Sequence, residues 1–248
     1  KALEADGIWG AMLQPSAGLV WWRVPDSGLV TAIQQTYNDW IAEFCNTYPG
    51  RLRGLACINV DDVVEACEEL ERCKELGLAG AMIPVFPGPD KLYRDPSHER
   101  LWWTAQDLEM PLCLHVGTNR AGSAGAQDLT TNVTGLSPAG RATNDYWVRF
   151  SLCDMIFAGV FDRHPGLIVG SVEHEMSWIP YWLNNMDFTY RERPVFTRWW
   201  KSRSGLLPSE TWHRNMFATF TEDALGVELR HKIGVGNMLW GNDYPHYE

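Results

Sequence analysis

The chain of 248 residues is 45% hydrophobic and 21% charged, the composition of a soluble globular protein large enough for one barrel or two small domains. Its net charge of −10 argues against a nucleic-acid surface, which needs clustered Lys and Arg, but leaves room for a small cationic site. There is no apolar run of about 18 residues and no basic-then-apolar opening in KALEADGIWG, so no membrane span or secretory signal is expected.

Short apolar runs alternate with amphipathic helices. Residues 7–14 (GIWGAMLQ) predict a strand, and 29–48 a long helix that stops before Pro49-Gly50. A strand over 52–60 leads into a helix capped by Asp61 or Asp62. Its Val63, Ala66, Cys67, Leu70 and Cys73 fall on one stripe, and Gly77 ends it. Residues 78–86 read as a strand broken by Pro87-Gly88-Pro89, and Asp95-Pro96 opens a helix through Leu108. Strand 111–116 carries His115. The stretch 117–144, rich in Gly, Ser, Asn and Thr, is too long for a plain connection and is expected to be an active-site loop. A helix over 146–161, a strand over 167–172 and a helix over 177–188 precede an Arg- and Trp-rich stretch, 190–214, that reads as an insertion. Strands at 216–220 and 238–240 complete the series.

The cysteines Cys45, Cys57, Cys67, Cys73, Cys113 and Cys153 lack paired short spacings and are expected as buried thiols of a cytoplasmic protein. Adjacent tryptophans at 21–22, 102–103 and 199–200 fill core or subunit contacts, or else line an aromatic pocket.

Seven strands separated by helices imply a parallel sheet, because each crossover helix returns the chain to the same edge. One more strand would close a (β/α)8 barrel, so the expectation is a single α/β TIM-barrel domain over 1–248. The same expectation places the first strand outside the 248 residues and reads the domain as truncated at both ends. A doubly wound open sheet competes, but no glycine-rich phosphate fingerprint follows any strand.

Three strand ends stop on groups that bear chemistry: His115 in PLCLHVGT, Glu173 in LIVGSVEHE and Asp243 in MLWGNDYPH. In a parallel barrel the C-terminal strand ends converge on one face, where His and carboxylate side chains suit a divalent metal. Each also has a plainer role. His115 serves as a hydrogen-bonded structural residue, Asp243 as a turn cap, and Glu173 as the partner of Arg163 or Arg141.

The segments PLCLHVGT, GVFDRHPGLIV followed by SVEHEMSWIPYWL, and MLWGNDYPHYE, with YNDW and GRLRGLACINV, run along nearly the whole chain. Together they resemble the amidohydrolase-2 family, which includes aminocarboxymuconate-semialdehyde decarboxylase and resorcylate-type decarboxylases. The resemblance implies a (β/α)8 barrel and one divalent metal ion, zinc before manganese. His115 and Asp243 would be its ligands, and Asp243 the general base as well. Two departures stand out. The sixth strand of the decarboxylases ends in a His where this chain has Glu173, with His174 one residue on. The family's His-x-His or Glu-x-His pair on the first strand has no counterpart near residue 1.

The catalytic residues expected are thus Asp243, Glu173 and His174. Asn119, Arg120, Arg141, Trp178 and His246 are expected to bind substrate, and His98, His164, His213 and His231 to be structural or exposed. The first reading is a hydrolase acting through metal-activated water on a small aromatic or unsaturated organic acid. A non-oxidative decarboxylase of an aromatic or muconate-type acid is the alternative, and a non-catalytic binding subunit the rival from another class. A homodimer is expected, with no nucleic-acid or membrane partner.

Overall fold

The computed structural model describes residues 2–122, 138–193, 195, 202–244 and 246. Seven strands form one sheet in sequential order, every neighbouring pair parallel: β1 (Ala11–Leu13), β2 (Leu52–Cys57), β3 (Gly80–Ile83), β4 (Leu112–His115), β5 (Val169–Val172), β6 (Met216–Phe220) and β7 (Met238–Trp240). Strands β3, β4 and β5 are buried throughout, as befits a parallel sheet covered on both faces. The edge strands β1 and β7 are half-exposed, and Met12, Leu239 and Trp240 show large apolar surface there.

The helices begin where the sequence supplies caps. In the helix Ser27–Asn46, the Asp26 carboxylate accepts the Leu29 N–H at 2.9 Å, and Val30, Tyr37, Ile41, Ala42 and Cys45 line the buried stripe. In Val63–Glu75 the cap is Asp62, which accepts from the N–H groups of Val64 and Glu65. Asn38 ties the two helices to β2. Its amide exchanges two hydrogen bonds with the Cys57 backbone and donates to Glu69 at 2.7 Å.

Side-chain alternation splits the sheet into two faces. Leu112, Leu114, Val169 and Ala218 belong to the large core under the helices, whereas Leu55, Cys113, Val172 and Phe217 form a small cluster on the other face. Here Gly170 has a steric duty: a Cβ on it would lie 2.1 Å from the Phe217 ring.

The predicted strands are all present, the first five shorter than expected and the last two with the expected bounds, and several connections differ from expectation. The helix foreseen over 146–161 is two helices, Tyr146–Phe157 and Val160–Arg163, separated by Gly159 with φ +72°. Residues 138–142 of the expected active-site loop are helical, and 123–137 lie outside the described residues. Much of the expected insertion is regular structure. The helix Ile179–Glu192 reaches into it, and Pro208–Asn215 packs on that helix as the element leading into β6; residues 194 and 196–201 are outside the described set. All six cysteines are free, five of them buried. Two Trp pairs divide between core and surface, Trp22 and Trp102 being fully buried while Trp103 is exposed; the 199–200 pair is not among the described residues. No helix among the described residues is long and apolar enough to cross a membrane.

Candidate active site at the strand ends

His115 ends β4 on the same face as Cys113 and stands level with Val172 of β5 in the strand register. Its Nδ1–H donates to the Val116 carbonyl at 2.8 Å, which fixes the ring and aims Nε2 at Glu173 Oε1, 3.1 Å away. His115 is 2% exposed and Glu173 30%, so the contact lies at the mouth of a buried layer.

Glu173 reaches this place by leaving the strand pattern. Continued alternation would send residue 173 to the helix side with Ser171. Its φ of +60° turns the chain instead, and the turn is held by its N–H donating to Thr219 Oγ1 at 2.9 Å. Burial raises the Glu173 carboxyl. The hydrogen bond and charge of His115, with smaller contributions from His246 and Arg141, outweigh burial and hold it below the ordinary glutamate range.

Asp243 follows β7 with φ +47°. A tight turn closes when the His246 N–H donates to the Asp243 carbonyl at 2.8 Å, and it brings His246 Nδ1 to 2.9 Å from Asp243 Oδ1. On the ring's other side, Nε2 lies 2.7 Å from Ser16 Oγ, just beyond β1. The edge strands β1 and β7 do not pair with each other, yet the segments following them meet at this rim. Because every neighbouring strand pair is parallel, the C-terminal ends of β4, β5 and β7 open toward the same edge of the sheet.

Other expected site residues are placed differently. His174 is turned away: its Nδ1 contacts Ser171 Oγ at 3.2 Å on the helix-facing side, and burial pushes its imidazole down to about 3. The catalytic role expected of it is therefore not carried forward. Arg120 is buried, with its guanidinium donating to both oxygens of Asp61 and to the carbonyls of Trp22, Val24 and Pro25. It clamps the segment after β1, and the substrate-binding role is likewise dropped. Trp178 donates its indole N–H to the carbonyls of His174 and Glu175, bracing the turn behind Glu173. Asn119 is buried. Arg141 lies on the exposed short helix, its charge reaching Glu173 and Glu175. Glu173 pairs with His115, while Arg163 is taken by Glu99. His164 is also bound to Glu99, and His98 is buried against Tyr93 and Trp102. His213 and His231 are exposed.

The donor set suits a cation. With Nδ1–H committed to a carbonyl, His115 Nε2 faces a carboxylate oxygen, so a proton or a metal ion must mediate between them. Two donors each about 2.1 Å from one ion lie about 3.0 Å apart at octahedral angles and about 3.4 Å apart at tetrahedral ones, and the observed 3.1 Å lies between these and within the ordinary hydrogen-bond range. Among the described residues no three His, Cys, Asp or Glu side chains gather closely enough to hold a metal. The groups present thus account for only part of a coordination shell.

The Amidohydrolase family model matches residues 23–248. A γ-resorcylate decarboxylase from Rhodococcus jostii is 30% identical over 90% of this chain and 69% of its own length. Another, from Rhizobium sp., is 26% identical over 99% of this chain and 75% of its own. A dihydroxybenzoic acid decarboxylase from Polaromonas sp., solved with bound manganese and the inhibitor 2-nitroresorcinol, superposes with a TM-score of 0.76 at 22% identity. It covers 98% of this chain and 74% of that one.

Proposed function

The chain belongs to the amidohydrolase family and is an enzyme of it, and from that premise we propose that it is a metal-dependent decarboxylase of a small hydroxylated aromatic acid. The observation carrying this reading is the His115–Glu173 contact, with its pinned imidazole, on the rim that also bears Asp243. The activities of the relatives favour decarboxylation over the hydrolysis expected first. The full fold proposed is the eight-stranded barrel, of which seven strands are described.

On the family resemblance, His115 and Asp243 would supply two ligands of a divalent ion, zinc by the His ligand or manganese by the Polaromonas example, and the shell needs further ligands because no three such side chains gather among the described residues. Such an ion supplies a positive anchor for the substrate's carboxylate and phenolic oxygens. The remaining work falls to the chain itself. When the C–CO2 bond breaks, the ring carbon must take a proton. Asp243, one oxygen of which meets His246, is the carboxyl assigned to carry that proton. Arg141 is assigned to attract the acid electrostatically. A homodimer is proposed on the family resemblance and is checked by light scattering.

The test incubates the protein with γ-resorcylate, other hydroxybenzoates and aryl lactones, reading CO2 against acid release and metal content by mass spectrometry. CO2 from a hydroxybenzoate, lost in Asp243→Ala and His115→Ala variants that melt normally, is the expected result. Acid release from lactones without CO2 would return the assignment to hydrolysis. A metal-free, inactive protein would refute both and favour a binding subunit.

A further inference from the structure

The hydrogen-bonded chain Ser16–His246–Asp243 joins residues 230 apart in sequence, from opposite edges of the sheet. In the neutral ring that satisfies both contacts, Nδ1–H donates to Asp243 Oδ1 and Nε2 accepts the Ser16 hydroxyl. One carboxylate oxygen is thereby held by the imidazole, and Oδ2 is not part of that contact.

Both ends of the chain are braced. At the Asp243 end, the turn that returns His246 is closed by its own backbone hydrogen bond. At the other, Ser16 begins the 3-10 helix Ala17–Arg23, in which Trp22 is fully buried. The carbonyls of Trp22, Val24 and Pro25 are gripped by Arg120, which Asp61 anchors in turn. The Ser16 hydroxyl is thus presented from a fixed segment.

We infer that Ser16 and His246 are positioning residues that set the orientation of Asp243, so that a residue from the segment after β1 tunes the acid after β7. This rests on the proposed metal-dependent function. The order Ser–His–Asp also matches a nucleophilic triad, but here the Asp belongs to the strand-end site, and Ser16 is assigned no attack on substrate.

The experiment measures Mn2+ affinity of the metal-stripped protein by electron paramagnetic resonance, alongside apoprotein melting and the split between kcat and KM. Substitutions next to a ligand cost typically about 10–100-fold in ion affinity or activity. His246→Ala is therefore expected to weaken Mn2+ binding about 10-fold or more, and Ser16→Ala by a smaller factor. Ser16→Thr, which keeps the hydroxyl, restores it. His246→Asn, which keeps a donor near Nδ1 but loses Ser16, falls between. Loss in kcat rather than KM, with unchanged apoprotein melting, supports positioning. Wild-type affinity and kcat in both alanine variants, or an affinity loss matched by a lower apoprotein Tm, overturns it. Covalent capture of Ser16 by a fluorophosphonate overturns it too. Failure of the wild-type protein to bind Mn2+ at all would instead count against the proposed function.

Discussion

Replacing Arg120 with Ala separates a structural clamp from a substrate-binding arginine. The Arg120 side chain is 6% exposed and that of Asp61 29%, with their closest approach at 2.6 Å. Removing one partner of a buried ion pair costs about 3–5 kcal/mol. The partial exposure of Asp61 puts this pair near the lower end, about 3 kcal/mol, with three backbone carbonyls also losing their donor. For a protein of this size each kcal/mol moves Tm by about 2–4 °C, giving a fall of roughly 6–12 °C by calorimetry or circular dichroism. The pH dependence has a definite sign. Burial raises the Asp61 carboxyl, but hydrogen bonds from Arg120 and Ser27 and the charges of Arg120 and Lys91 leave it below the ordinary value of 3.8. Its contribution is therefore fully present above about pH 4 and is lost as pH falls through the lower folded value. Arg120→Ala removes that contribution, so the variant's deficit is widest above pH 4 and narrows in acid. An unchanged Tm with a raised KM for the acid would refute the clamp and restore Arg120 to the substrate.

Gly170→Ala forces a methyl against the Phe217 ring at 2.1 Å and is expected to destabilise by about 1–3 kcal/mol or more. Phe217→Leu in the same chain should recover part of the loss in urea unfolding. Glu109, exposed with φ +51° just past the helix Glu99–Asp107, holds a left-handed turn that glycine adopts freely. Glu109→Gly should therefore raise stability by about 1 kcal/mol with no change in turnover. His98 is pushed below its ordinary 6.5 by burial, with the nearby Asp95 opposing. The unfolded chain takes up that proton first, so stability falls as pH drops below about 6.5 until the folded value is passed. His98→Phe should shrink the difference between urea midpoints at pH 7.5 and 5.5; an unaltered difference would count against this account.

The strand series, and the positions of His115 at the end of one strand and Asp243 just past another, were legible in the sequence because they follow local rules. An apolar run stopping on His115 or just before Asp243 is visible without knowing what lies opposite. The helix caps at Asp26 and Asp62 obey the same logic, and Asp62 rather than Asp61 takes the cap because Asp61 is drawn to Arg120. What the sequence hid was long-range pairing. Nothing near position 16 marks Ser16 as the neighbour of His246, and nothing near 120 tells a loop arginine facing solvent from one threaded through three carbonyls. Thr219 was missed for a similar reason, since its hydroxyl matters only through the turn on the adjacent strand.

The placement of Glu173 and His174 shows why strand alternation alone does not place such side chains. Strict alternation puts 170 and 172 on one face and 171 and 173 on the other, which would bury Glu173 among helices and bring His174 back toward His115. One positive φ at 173 reverses the order: the carboxylate meets His115, and the imidazole joins Ser171 behind the sheet. A left-handed conformation on a residue other than glycine costs on the order of 1 kcal/mol or more. Three of the four non-glycine residues that carry it among the described residues, Glu173, Glu175 and Asp243, are acids at strand ends. Glycine would relieve that strain at each position and remove the carboxylate. Strain kept at a strand end with an acid in place, next to a pinned imidazole, is what a site assembled for charge rather than for stability requires.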